Sequence, residues 1–260
     1  MNGGIESVTG YSHVNGIKMY YELCGHGKPL VLIHGGGSTI PSSFGKIMPL
    51  LAKKYRVIAM ELQNHGRSGF RRGPETFEQD ADDVATLLNN IGIGQAAFLG
   101  FSNGGTTALQ LAIRHPELVN KLVLAAAAFR RDGFITGFFE AMQQATLESM
   151  PAELKDSFSK VNPDASKLPL MFEADRDRMI AFRDLPADLI KSIKAPALII
   201  NGDSDVILPE HALELFRLIP GSQLAIVPGG HGGYIGEITA LNQEEGVLEF
   251  MVSLILRFLA

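Results

Sequence analysis

Two rhythms of apolar and polar positions alternate along the chain. Short apolar runs at Leu30–Ile33, Arg56–Met60, Ala96–Gly100, Leu122–Ala127, Ala197–Asn201 and Leu224–Val227 have the length and continuity of strands buried on both faces. Helical periods separate them. In the clearest, Ala81, Val84, Ala85, Leu88 and Ile91 recur at helical spacing; Thr76 and Gln79 read as a capping box at its start and Gly92 as its stop. A second helix follows Ser102 and ends before Pro116. The apolar tail Val247–Ala260, interrupted by Glu249, Ser253 and Arg257, reads as a terminal helix packed on a sheet. Near the start, strands at Tyr11–Val14 and Ile17–Cys24 flank Asn15-Gly16, a strong hairpin signal.

This alternation predicts an α/β fold with a mostly parallel central sheet flanked by helices. Residues 130–193 break the rhythm. They contain helical patterns and Pro151, Pro163, Pro169 and Pro186, but no convincing strand. The expectation is a core of residues 1–129 and 194–260, with residues 130–193 inserted as a small helical cap.

Composition narrows the function. The 260 residues are 46% hydrophobic and 20% charged, as in an ordinary globular chain, and the net charge is −5. No basic stripe points to nucleic acid. Met1 to Gly16 lacks the features of a signal peptide, and no apolar run is long enough to span a membrane, so the expected location is cytoplasmic with no membrane partner. The single cysteine, Cys24, reads as a small core residue.

Four segments carry candidate chemistry, each directly after a predicted strand. Gly100-Phe101-Ser102-Asn103-Gly104 matches Gly-x-Ser-x-Gly between a strand and a helix, the setting in which a sharp turn exposes a serine nucleophile. His34-Gly35-Gly36-Gly37 is a glycine loop that can aim a backbone N–H at a reacting carbonyl; Gly36 and Asn103 are the expected oxyanion donors, and His34 reads as structural. Asn201-Gly202-Asp203-Ser204-Asp205 brings a carboxylate, and Pro228-Gly229-Gly230-His231 a histidine, to the carboxyl ends of late strands.

With these motifs in chain order, the sequence resembles the α/β-hydrolase fold family from about Asn15 to the C-terminus. The family's Asp-x-x-Gly-His-Gly-x-Ser segment reads here Glu61-Leu62-Gln63-Asn64-His65-Gly66-Arg67-Ser68, with Glu61 for aspartate and Asn64 for glycine. The resemblance implies Ser102 as nucleophile, His231 as general base and Asp205, three residues after Gly202, as the acid; Asp203 is left as a turn residue. No metal or cofactor is needed for such chemistry. The remaining histidines, His13, His26, His65, His115 and His211, read as surface or capping residues.

A serine at the elbow excludes the aspartate-based dehalogenase and epoxide hydrolase chemistries of the fold. Hydrolysis of small carboxylic esters makes the fewest further demands. Lactone opening, C–C cleavage of β-diketone-like substrates and perhydrolysis use the same residues, and a receptor-like member with weak catalysis is a different class of alternative. Phe134, Phe138, Phe139 and Met142 are candidates for a cap face lining the substrate pocket.

Overall fold

The computed structural model describes residues 7–240 and 246–260; the first six residues, part of the stretch read for a leader, lie outside it. Eight strands are β1 (Ser7–Val14), β2 (Ile17–Cys24), β3 (Pro29–Ile33), β4 (Arg56–Met60), β5 (Ala96–Phe101), β6 (Val119–Ala125), β7 (Ala197–Gly202) and β8 (Gln223–Val227). They form one sheet in the order β1-β2-β4-β3-β5-β6-β7-β8. The β1–β2 and β2–β4 pairs are antiparallel, and every pair from β4 through β8 is parallel.

Helices cover both faces. They are α1 (Ile40–Phe44), α2 (Met48–Leu51), α3 (Phe77–Asn90), α4 (Asn103–Arg114), α5 (Phe138–Gln144), α6 (Ala152–Val161), α7 (Leu168–Ile180), α8 (Ala187–Lys191), α9 (Pro209–Leu218) and α10 (Val247–Leu259). The strand pleat explains the two cores. In β3, Leu30 and Leu32 join the cluster under α1, α2 and α10, while Val31 and Ile33 join the cluster under α3, α4 and α9. Burial on both faces is why these strands read as continuous apolar runs.

Local signals translate directly into backbone. Asn15 and Gly16 take φ +40° and +90°, the double positive-φ turn that matches strand twist. The Thr76 hydroxyl caps α3 by accepting from the Gln79 N–H at 3.1 Å. The other half of the capping box is absent, because the Gln79 amide instead donates to Asp83 at 2.8 Å. Past the end of α3, Gly92 adopts φ +74° and the Ile93 N–H returns to Leu88 O at 2.8 Å.

Two strands depart from expectation by more than one residue. β1 begins at Ser7, because its pairing with β2 runs the full length from Ser7–Cys24 to Val14–Ile17 although its outer residues lack an apolar alternation. β6 runs from Val119 to Ala125 rather than from Leu122 to Ala127, and its end falls where Ala126 turns to φ +50°. Between β6 and β7 lie α5 to α8, and Phe134 in this segment forms an isolated bridge with Ile207, beyond β7. α8 packs toward the sheet: Leu185, Ile190 and Ile193 share the cluster of α4 and α9. Met150, Phe158 and Met171, on and around α6 and α7, form a separate small core.

Candidate active site

β5 drives straight into α4, and the reversal falls on one residue. Ser102 has φ +55° and ψ −120°, a region that disfavours any side chain. Its N–H donates to Ala125 O at 2.8 Å, and its carbonyl accepts from the Gly105 and Thr106 amides at 2.8 and 3.1 Å. The strain belongs to the serine; the flanking glycines answer a different need. A Cβ at Gly100 would collide with the Gly104 carbonyl, and one at Gly104 with the Ile33 carbonyl. Neither glycine has positive φ, so they are required for space alone.

The ends of β7 and β8 are drawn together in the same way, since a Cβ at Gly202 would strike the Gly229 carbonyl. Asp203 Oδ1 accepts from the Gly229 N–H at 3.0 Å and so ties the two loops. That leaves Asp205, whose side chain is fully buried, to face the histidine. His231 Nδ1 lies 2.7 Å from Asp205 Oδ1, and His231 Nε2 lies 3.0 Å from Ser102 Oγ. Asp205 Oδ1 also accepts from the Ile207 N–H at 3.2 Å. With Nδ1–H committed to the carboxylate, Nε2 presents its lone pair to the serine hydroxyl. The Phe101 ring lies against the imidazole at a centroid distance of 4.7 Å. Sequence reading passed over Phe101 because that motif position accepts any residue.

The glycine loop after β3 closes over the elbow. A Cβ on Gly35 would stand 3.4 Å from Ser102 Cβ, and one on Gly36 would stand 2.5 Å from Asn103 Nδ2. Asn103 is the first residue of α4, so its N–H has no partner within the helix. His34 is structural: it accepts from the Leu62 N–H at Nε2 (3.0 Å) and donates from Nδ1 to Gly35 O (2.7 Å). Burial pushes its pKa down to about 3, so the ring is neutral.

The variant segment after β4 keeps its architecture. Glu61 accepts from the Arg67 N–H at 2.6 Å and from Arg67 Nη1 at 2.8 Å. Asn64 takes φ +62°, the left-handed conformation for which glycine is usual and asparagine tolerated. His65 and His211, read as surface or capping residues, are both buried. His65 Nδ1 donates to Gln63 O at 2.8 Å, and His211 Nε2 accepts from the Phe129 N–H at 3.1 Å.

A cavity of about 180 Å³ opens beside Gly36 and Gly37. Met142 lines it together with Met150, Leu154, Met171, Phe172 and Met179. Phe138 and Phe139 do not. They pack with Phe134, whose ring is 4.5 Å from Phe138 and 5.0 Å from Phe139, because edge and offset stacking is available there. The cavity also holds Asp175, from α7. Asp175 pairs with the buried Arg178, which also bonds Asp80 Oδ2 at 2.6 Å and lies 3.6 Å from Glu75 Oε2. Nothing in the sequence marks this group, since an Asp and Arg three apart on a helix are ordinarily a solvated pair.

Comparison with known proteins places this arrangement. A family described as alpha/beta hydrolase fold matches residues 28–150. The AB hydrolase superfamily protein YisY of Bacillus subtilis is 31% identical over 255 residues, covering 87% of this chain and 93% of that protein. The chain belongs to the α/β-hydrolase family. Two further relatives of this hydrolase show how varied the family's substrates are. The 2-hydroxymuconate semialdehyde hydrolase of Pseudomonas sp. strain CF600 is 31% identical over 234 residues, 81% of this chain and 82% of that one. The pimeloyl-acyl-carrier-protein methyl ester esterase of Neisseria meningitidis serogroup C is 31% identical over 224 residues, 77% and 84% of the two chains. Among the described residues of the hydrolase, no helix is long and apolar enough to cross a membrane.

Proposed function

We propose that this protein hydrolyses carboxylic esters of small substrates through an acyl-enzyme on Ser102. The observation that carries the reading is the continuous hydrogen-bonded line Asp205–His231–Ser102, at 2.7 and 3.0 Å, on three separate loops. Ser102 Oγ attacks the carbonyl carbon while His231 Nε2 takes its proton, and Asp205 holds the imidazole in the required tautomer and faces the positive charge that develops. The Gly36 and Asn103 amides receive the oxyanion, with the start of α4 adding its dipole. His231 returns the proton to the leaving alkoxide, then activates water to release the acid.

Helices α5 to α7 are the proposed cap, and the cavity beside Gly36 is the proposed acyl pocket. An acyl group without a negative charge suits it. Its two charged side chains are Asp175 and Arg176, and Arg176 is already paired with Asp177 at 2.8 Å. A substrate carboxylate entering there would lie beside the Asp175 carboxylate, with both nearby arginines, Arg176 and Arg178, already paired.

A fluorophosphonate probe located by peptide mass should modify Ser102. Ser102→Ala should lower turnover of p-nitrophenyl acetate by about 10⁴-fold or more with an unchanged circular dichroism spectrum. Modification of another serine, or full activity in the variant, would remove Ser102 from the reaction.

A further inference from the structure

The cavity beside Gly36 is apolar along most of its wall, which includes Met142, Met150, Met171 and Met179, and carries a carboxylate at one end. That end is the reacting one. A Cβ on Gly36 would lie 2.5 Å from Asp175 Oδ2, so the carboxylate stands beside the amide assigned to the oxyanion. The two oxygens of Asp175 differ. Oδ1 accepts from Asn103 Nδ2 at 3.2 Å and from Arg178 Nη2. Oδ2 accepts no hydrogen bond from any described residue. His65 Nε2 lies 4.0 Å from Oδ2, beyond hydrogen-bond distance.

Asp175 retains 13% side-chain exposure although His65 and Arg178 beside it are buried. Arg178 keeps it ionised by direct contact and is held in place by Asp80 and Glu75. A charged acceptor with one oxygen unclaimed, in an apolar cavity, favours any ligand that brings a donor and penalises one that brings only alkyl surface.

We propose that Asp175 selects esters whose acyl group carries a hydrogen-bond donor, a hydroxyl or an ammonium, on its second or third carbon. The position follows from the geometry. The carbonyl is held at Gly36, so the first carbons beyond it pass Asp175 before the chain reaches the methionines. This assignment rests on the serine-hydrolase reading and adds the recognition element to it.

The test compares methyl butyrate, methyl 3-hydroxybutyrate and methyl 3-aminobutyrate by proton release, with wild type, Asp175→Asn and Asp175→Leu. A hydrogen bond to a charged group predicts a ten- to hundredfold higher kcat/KM for the donor-bearing esters in the wild type. Both variants should erase most of that ratio. The ratio is insensitive to whatever the lost charge does to the oxyanion, since that effect is common to all three esters. A gain for both donor esters assigns the contact to hydrogen bonding, and a gain for the ammonium alone assigns it to charge; each supports the proposal. Equal rates for all three in the wild type would overturn it while leaving the hydrolase reading intact, and the wild-type comparison stands even if the variants fold poorly. A preference that survives in both variants would also overturn it. If the wild type cleaves none of the esters and Ser102 resists fluorophosphonate, the hydrolase reading itself has failed.

Discussion

At the scale of single residues, the site depends on conformations and contacts that few side chains permit. Ser102 holds a positive φ that costs on the order of 1–3 kcal/mol, and the Ala125, Gly105 and Thr106 hydrogen bonds keep it there. Asp203 and Asp205 illustrate how neighbouring carboxylates divide the work. Asp203 is exposed and pins Gly229, whereas Asp205 is buried against His231. Asp205→Asn should therefore lower turnover by about 10⁴-fold, because an amide in that place favours the wrong imidazole tautomer. Asp203→Asn should cost far less, as an amide oxygen still accepts from Gly229. Steady-state kinetics on one activated ester decides between them, and the reverse ranking would move the acid's role to Asp203.

Among the elements, α7 is bound to the main domain through charge rather than apolar contact alone. Arg178 reaches from α7 to Asp80 in α3 and to Glu75 just before it. Asp80 also accepts from Gln63 at 2.8 Å, and Glu75 from Asn64 at 2.5 Å. Burial pushes both the Asp80 and the Glu75 carboxyl up to about 7, against the opposing pull of Arg178. The folded chain thus retains protons that the unfolded chain, with carboxyl values of about 4, gives up early. The stability these groups contribute is complete below about pH 4 and is lost as the pH rises through about 7. The melting temperature of the wild type should accordingly fall between pH 5 and 8, and Asp80→Asn should flatten that slope. A melting temperature that rises over this interval, with the same slope in the variant, would show that Arg178 outweighs burial. The aromatic cluster of α5 is anchored differently, by the stacked rings of Phe134 and Phe138 and by edge-on contacts among Phe134, Phe138, Phe139 and Phe182.

For the whole molecule, the parallel sheet gathers residues 102, 205 and 231 at one edge, and the segment between β6 and β7 supplies the cavity above them. Its volume of about 180 Å³ lies below the roughly 300–1,000 Å³ of a typical small-molecule pocket. Acetyl to hexanoyl p-nitrophenyl esters should be cleaved with much higher kcat/KM than palmitoyl esters. Met142→Ala should shift the optimum toward longer chains by removing one wall. Phe139→Ala should lower the melting temperature and leave the chain-length profile in place, because that ring packs within a cluster. A peak at long chains in the wild type would refute a closed pocket.

Strand identity, the hairpin at Asn15-Gly16, the stop at Gly92 and the elbow at Ser102 were all readable in the chain. Each is governed by local physics: burial on both faces, positive φ, and the absence of room for a Cβ. The choice of Asp205 over Asp203 was readable only through family resemblance, because two residues of one strand end differ in direction by an amount that spacing does not express. The turning of Phe138 and Phe139 away from the cavity, the burial of His65 and His211, and the meeting of Asp175 with Arg178, Asp80 and Glu75 were decided by the tertiary structure alone. Partners such as Asp80 and Arg178, 98 residues apart, are joined only because the fold brings the Arg178 side chain of α7 to the start of α3. A pairing of that range leaves no periodicity in the sequence, and only the closed fold brings a carboxylate of α7 beside Gly36.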